Sequence, residues 1–207
     1  IYINELEFDN KLFSTIQYIV EGNQIVFKNN IQIELLLTLF GWTLSSSNRK
    51  LRDTVSKAMV EILKSNFDMT KLMLEKFQNV DDPYVLQRLY GIVWGACVKR
   101  EKKDKNTYKA LAKYVYKTIF LAKQVYPDIL LRDYARLIIE RYLFEYPDEN
   151  YFDIKKINPP YTSNPIQTIV SKEYKNKKYE KGELLLVYSM RFENYGWYGD
   201  FGRYVFE

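Results

Sequence analysis

Residues 51–63 read LRDTVSKAMVEIL and residues 131–143 read LRDYARLIIERYL, and these two similar stretches decide the fold. In each of them the apolar residues recur at the spacing of one helical face, and charged residues cover the opposite side. The pattern therefore predicts two amphipathic helices, each with one buried side. The predicted core faces are Leu51, Val55, Ala58, Met59, Ile62 and Leu63 in the first helix and Leu131, Ala135, Ile138, Ile139, Tyr142 and Leu143 in the second.

Further helices are predicted on both sides of these stretches. Polar residues that commonly cap helices stand at three of the starts, namely Asn48, Asp68 and Asp82, and Pro83 suits a first helical turn. Residues 31–44 (IQIELLLTLFGWTL) are apolar around nearly the whole helical circumference, which predicts a buried helix or, as the less favoured alternative, a buried strand. The predicted helical ranges are 31–44, 49–65, 69–79, 83–99, 106–125 and 128–146.

Two glycines stand four residues apart within the predicted helix 83–99. Glycine costs about 1 kcal/mol of helix propensity relative to alanine, so a pair of them on one helix needs a compensating reason. Gly91 and Gly95 are therefore predicted to allow a close approach of a neighbouring helix.

The shared triplet Leu-Arg-Asp indicates an internal repeat. Residues 85–89 (VLQRL) resemble the same helix start and lie between the two copies, at separations of roughly 34 and 46 residues. These stretches resemble the second helix of a HEAT-type repeat. The sequence thus predicts an all-α, HEAT-like helical repeat (an α-solenoid) over residues 1–146. Residues 147–207 hold four of the six prolines and many tyrosines, which predicts an irregular appendage packed on or extending the repeats.

Composition excludes several kinds of active site. The chain has 207 residues with no histidine and one cysteine, so a Ser-His-Asp triad, a Cys-His pair, a histidine metal ligand and an internal disulfide are all impossible. Cys97 lies within an apolar helix and is predicted to be a core residue rather than a nucleophile. The expectation is a segment that is not an enzyme and holds no cofactor or metal.

Six acidic residues are the candidates for the remaining enzymatic alternative. A pair of carboxylates, or a tyrosine, could serve as acid and base, and carboxylates could also bind Mg²⁺. No EF-hand spacing is present, and helix capping explains the first three residues of the set. The candidates are Asp81, Asp82, Asp128, Glu145, Asp148 and Glu149.

Charge and aromatic residues suggest where a partner could bind. The net charge of +5 is mild for this length and permits an acidic partner. Residues 172–183 (KEYKNKKYEKGE) interleave lysine with tyrosine, a pattern that could bind single-stranded nucleic acid or occur in a solvated linker. The predicted partner-binding residues are Tyr174, Lys175, Lys177, Lys178, Tyr179, Trp197 and Tyr198.

Two further sets of residues have both a binding and a structural interpretation. The repeated pairs Arg52–Asp53 and Arg132–Asp133 could line a ligand site, but ion pairs and caps between repeats are the favoured interpretation. Five aromatic residues could line a recognition groove, although most are expected in the core or between repeats. These are Tyr84, Tyr90, Trp94, Tyr134 and Tyr142.

The sequence predicts a cytoplasmic protein. No window reaches about 18 consecutive apolar residues, and the acidic start IYINE is unlike a signal peptide. A lone cysteine among apolar neighbours fits a reducing compartment. The chain begins with Ile1 and stops in an aromatic run, so a fragment of a longer protein is expected.

Five segments in order resemble the C-terminal helical-repeat region of bacterial STAND NTPases of the antiviral AVAST type. They are SSSNRKLRDTVSKAMVEIL, DDPYVLQRLYGIVWGACVK, ILLRDYARLIIERYL, INPPYTSNP and YGDFGRYVF, within residues 40–207. In that family a C-terminal sensor binds a phage protein and triggers oligomerisation through the parent protein. The resemblance implies a non-catalytic protein-recognition segment without the NTPase motifs. The alternative function is a nucleic-acid-binding helical repeat.

Overall fold

The computed structural model describes residues 11–23, 25–100, 104–123 and 125–161, and all structural statements below concern these residues. Within them every regular element is helical, which confirms the predicted all-α class. The helix that ends at Val115 runs directly into one π-helical turn, Tyr116–Phe120. The helices are α1 (Lys11–Val20), α2 (Asn30–Thr43), α3 (Arg49–Ser65), α4 (Met69–Phe77), α5 (Pro83–Lys99), α6 (Lys105–Val115), α7 (Ile129–Glu145) and α8 (Ile154–Ile157).

Side-chain caps fix the starts of α3, α5 and α7. The Asn48 side chain accepts a hydrogen bond from the backbone N–H of Leu51 at 3.1 Å, and the Asp128 carboxylate accepts one from Leu131 at 2.8 Å. Asp82 accepts from two backbone N–H groups of the first turn of α5. Each cap satisfies donors that the helix itself leaves unpaired. The predicted caps at Asn48 and Asp82 are therefore confirmed.

The predicted cap at Asp68 is wrong. Asp68 already has helical backbone angles, and its side chain makes no capping hydrogen bond. The reason lies in the turn before α4, where the N–H groups of Met69 and Thr70 donate to the carbonyls of Asn66 and Phe67. These backbone bonds satisfy the donors that a capping carboxylate would have bound.

The helices pack in two layers. In one layer α1 packs on α3, α3 on α5, and α5 on α7; in the other, α2 packs on α4 and α4 on α6. Each even-numbered helix from α2 to α6 also packs on the odd-numbered helix that follows it. Contacts divide the chain into two compact units, Ile1–Asn164 and Pro165–Glu207, and all the described residues belong to the first.

The helices α3, α5 and α7 run in parallel. Near their starts Asp53 pairs with Arg88 at 2.8 Å, and the Gln87 amide donates to the Asp128 carboxylate at 3.0 Å. Near their ends Lys99 pairs with Glu61 at 2.9 Å. The starts of neighbouring helices in this layer therefore lie together, and so do the ends of α3 and α5.

Gly91 and Gly95 bring α5 close to both of its neighbours. A Cβ atom at Gly95 would lie 3.0 Å from Val60 Cγ2 on α3. A Cβ atom at Gly91 would lie 3.0 Å from Tyr134 Cε2 on α7. The predicted close approach is confirmed, and it occurs on opposite sides of α5.

An aromatic cluster closes the interior between α6, α7 and the segment that follows α7. Tyr108 and Tyr142 are fully buried, and their rings meet edge to face at 5.3 Å between centroids. Phe152 packs on Tyr142 and on Tyr116. Residues 147–161, the start of the predicted appendage, thus pack on α7 and on the π turn.

Two predicted helices differ from the observed ones. The helix α2 buries Leu37 and Phe40 but exposes Ile31, Leu35 and Trp42, so the prediction of a wholly buried helix is wrong. The helix α2 lies at the end of the layer that it forms with α4 and α6. Its main contacts in the described ranges are with α3, α4 and α5, on one side of the helix. The predicted helix 106–125 ends at Phe120, because the N–H of Leu121 bonds back to the Tyr116 carbonyl in a widened turn.

Leucine at position 95 tests the close contact between α3 and α5. Gly95→Leu forces a side chain into the space occupied by Val60, so we expect a loss of about 2 kcal/mol in the free energy of unfolding. Val98→Leu is the matched control, because Val98 lies on the same helix and is exposed; its expected effect is below about 0.5 kcal/mol. Chemical denaturation measures both. Equal stability of the two variants would contradict the observed packing.

Candidate functional site

A surface groove of about 410 Å³ crosses the layer formed by α3, α5 and α7. Ligand sites commonly have volumes of about 300–1,000 Å³, so the groove is large enough to receive side chains of a partner. All three helices contribute to it. Its lining includes Lys57, Val60, Tyr84, Arg88, Gly91, Ile92 and Tyr134.

The absence of a side chain at Gly91 shapes this groove. Gly91 lies between Val60 of α3 and Tyr134 of α7 in the lining. The Tyr134 ring rests directly on the Gly91 backbone. The apolar floor of the groove is therefore formed by Val60 and Ile92, and the Tyr134 ring, which covers the Gly91 backbone, forms one wall.

Two arginines hold Tyr84 at one end of the groove. The guanidinium carbons of Arg52 and Arg88 lie 5.3 Å and 5.2 Å from the centre of the Tyr84 ring. The Nε atoms of the same arginines donate to the Tyr84 hydroxyl at 3.1 Å and 2.8 Å. Arg52 is anchored in turn, because its Nη1 donates to the Ser46 carbonyl at 2.6 Å. Tyr84 is thus fixed while 39% of its surface stays exposed.

The charged side chains that line the groove are cationic. Arg88 pairs with Asp53, and the hydrogen bond from Arg88 holds the pKa of the Asp53 carboxyl below its usual value. Lys57 is exposed and has no ion-pair partner in the described part of the chain. Arg49 and Arg52 lie on the same first turn of α3, so positive charge prevails at this end.

The five aromatic candidates fall into two groups. Tyr84 and Tyr134 line the groove. Tyr90 and Tyr142 are buried in the core, and Trp94 is partly buried against it. Helical spacing alone did not separate the two groups, because the separation depends on the register between α5 and α7.

The two Arg-Asp pairs are placed in equivalent positions but bond differently. Arg52 donates to the carbonyl of Ser46, and Arg132 donates to the carbonyl of Tyr126 at 3.3 Å, in both cases six residues earlier. Asp53 reaches across to α5, where it pairs with Arg88 at 2.8 Å. Asp133 pairs instead with Arg136 on its own helix at 2.6 Å.

The acidic candidates do not converge on one point. Asp82 and Asp128 cap helices, and Glu149 pairs with Lys109 at 2.5 Å while accepting from the Tyr142 hydroxyl at 3.2 Å. Asp81 and Asp148 are exposed. In the described ranges no three His, Cys, Asp or Glu side chains come together in a way that could hold a metal ion.

Glu145 forms a buried ion pair at the far end of α5 and α7. Its carboxylate accepts from Arg100 and, at 2.8 Å, from Arg141. The Arg100 side chain is 2% exposed and also lies over the Tyr108 ring at 4.4 Å. Burial favours a higher pKa for Glu145, but the hydrogen bonds from both arginines outweigh it and lower the pKa.

Cys97 lies in the core, as its apolar helix predicts. It has no exposed surface, and burial raises the pKa of its thiol to about 12. A thiol with this pKa is protonated at neutral pH and lacks the reactivity of a thiolate.

The partner-binding residues predicted from the sequence lie outside the described residues. They are Tyr174, Lys175, Lys177, Lys178, Tyr179, Trp197 and Tyr198. Lys57 and Arg88 line the groove and were not among the residues predicted from the sequence. The spacing of Tyr84, Arg88 and Gly91 on one helical face was the available signal. Among the described helices, none has the length and apolar character that a membrane span requires.

Neutralising Glu145 should destabilise the chain without touching the groove. Glu145→Gln leaves the Arg100 guanidinium buried without its carboxylate, so we expect a loss of about 3 kcal/mol in the free energy of unfolding. Glu140→Gln is the control, because the pair of Glu140 with Arg136 is more exposed; its expected cost is below about 1 kcal/mol. Denaturant titration distinguishes them, and similar losses for both would contradict the burial of the pair.

The Glu145 effect should also depend on pH with a definite sign. The pKa of Glu145 is lower in the folded state than its ordinary value of 4.5. Its contribution is therefore fully present above pH 4.5 and is lost as pH falls through the folded-state pKa. The stability difference between wild type and Glu145→Gln should shrink in that acidic range. A difference that stays constant to the lowest accessible pH would argue against the ion pair.

Comparison with protein-family models, with curated proteins and with solved structures finds no match for this chain.

Proposed function

We propose that this chain is a non-catalytic, HEAT-like recognition segment that binds another protein through the face formed by α3, α5 and α7. The observation that carries the proposal is the open groove across three parallel, adjacent helices. Stacked helix pairs present broad surfaces of this kind, and their binding energy comes from contact area and shape rather than from bond chemistry.

The HEAT-like assignment rests on the repeated arrangement of helix pairs. The pairs α2–α3, α4–α5 and α6–α7 each place one helix in either layer, and each pair packs on the next. In all three pairs the second helix starts from a capping side chain, and the residue three positions after the cap is buried. These buried residues are Leu51, Val85 and Leu131.

The lining of the groove favours protein recognition. Tyrosine and arginine are enriched at protein interfaces and among the residues that contribute most binding energy. Tyr84 and Arg88 combine exposure with a fixed position, because each is held by further side chains. Little side-chain freedom would then be lost when a partner binds.

The wider role that we propose is phage sensing within a STAND NTPase of the antiviral type. This part of the proposal rests on the order of the five segments that resemble the sensor region. It assigns the described helices to the scaffold and recognition surface. Nucleotide hydrolysis is not assigned to this segment.

Nucleic-acid binding is the second candidate function. It is favoured by the net charge of +5 and by the cationic and aromatic lining of the groove. The lining opposes it in one respect, because its two cations, Lys57 and Arg88, do not form the extended basic stripe that binds a phosphate backbone.

Binding by the purified full chain decides between the two. We expect the immobilised chain to retain a phage-encoded protein from lysates of infected bacteria and not from uninfected ones. The two purified proteins should then form a complex whose affinity changes only mildly with salt. Failure to retain any phage protein across diverse phages would contradict the sensor role. Oligonucleotide binding that weakens steeply with salt would favour the second candidate.

A further inference from the structure

We propose that the groove binds an acidic peptide segment that carries an apolar side chain. This inference rests on the proposed protein-recognition function and specifies the chemistry of the partner. It follows from three features of the groove. They are an apolar floor, tyrosine rings at its sides, and cationic side chains with free hydrogen-bond donors.

The floor can receive an apolar side chain. It is formed by Val60 and by Ile92, which is 3% exposed, while the Tyr134 ring covers the backbone at Gly91. Tyr84 and Tyr134 stand on either side of it. Placing an aliphatic side chain there removes apolar surface from water and so contributes to the affinity of a short peptide.

Two cations above this floor have unused hydrogen-bond donors. The Lys57 ammonium has no ion-pair partner in the described part of the chain. Arg88 uses Nε for the Tyr84 hydroxyl and Nη1 for Asp53 and Ser56, and no bond from its Nη2 is found within the described ranges. A carboxylate in the groove can therefore accept a charge-assisted hydrogen bond from either side chain.

The arrangement fits a peptide better than a nucleic acid. Phosphate backbones are bound by stripes of positive charge, whereas Lys57 and Arg88 are two cations beside one carboxylate, Asp53. The bases of a nucleic acid could stack on Tyr84 and Tyr134, but they carry no aliphatic chain for the floor formed by Val60 and Ile92. An acidic peptide can supply both a carboxylate for Lys57 or Arg88 and a neighbouring apolar side chain for the floor.

Selection from a random peptide display library tests the inference on the immobilised full chain. We expect the enriched peptides to share acidic residues next to an aliphatic or aromatic one. For a synthetic copy of an enriched peptide, Lys57→Glu should weaken binding about tenfold, because an attraction becomes a repulsion. Lys117→Glu is the matched control, since Lys117 is exposed and lies outside the groove lining. Thermal melting of both variants checks that they fold.

A charge-reversed peptide gives the sharper test. A copy in which lysine replaces each acidic residue should bind Lys57→Glu more tightly than it binds wild type. Enrichment of peptides without acidic residues, no enrichment at all, or an unchanged affinity in Lys57→Glu would overturn the inference. So would a single-stranded oligonucleotide that binds the groove more tightly than any enriched peptide.

The outcomes separate this inference from the proposed function. If a phage protein binds Lys57→Glu with the same affinity as wild type, the result supports protein recognition and contradicts the binding of an acidic peptide in the groove. If the chain binds neither phage proteins nor peptides, both fall.

Discussion

The close approach of α5 to α3 on one side and to α7 on the other is the constraint on which the rest of the structure depends. Glycine suits it, because a Cβ atom at Gly95 or Gly91 would lie 3.0 Å from the side chain of Val60 or Tyr134, which would then have to shift. Glycine lowers helix stability, so these contacts must be stabilised by tertiary packing. The aliphatic stripe of α5, from Val85 to Cys97, supplies that packing.

Once α5 is fixed in this position, the polar contacts follow. The parallel register places Arg88 against Asp53 near the helix starts and Arg100 against Glu145 near the ends. It also leaves a groove beside Gly91, where the Tyr134 ring occupies the space of the missing side chain. The surface that we propose for recognition is thus a direct consequence of the packing that holds the layer together.

Local sequence patterns predicted much of this fold. The caps Asn48 and Asp82, the apolar stripes and the role of the two glycines depend on neighbours within a few residues, and they were predictable. The exposure of one side of α2 depends on which helices pack against it, and the missing cap at Asp68 depends on the backbone bonds of the turn before α4. Neither can be read from local residue types. Lys57 was missed because it joins Tyr84 and Tyr134 only through the register between three helices.

The central claim is that α5 lies in direct contact with both neighbours through its glycines. Nuclear Overhauser effects in the full chain measure this most directly. The account predicts strong effects from the Gly95 Hα protons to the Val60 methyl groups and from the Gly91 Hα protons to the Tyr134 ring. Absence of both effects in a chain whose helices are formed would contradict it.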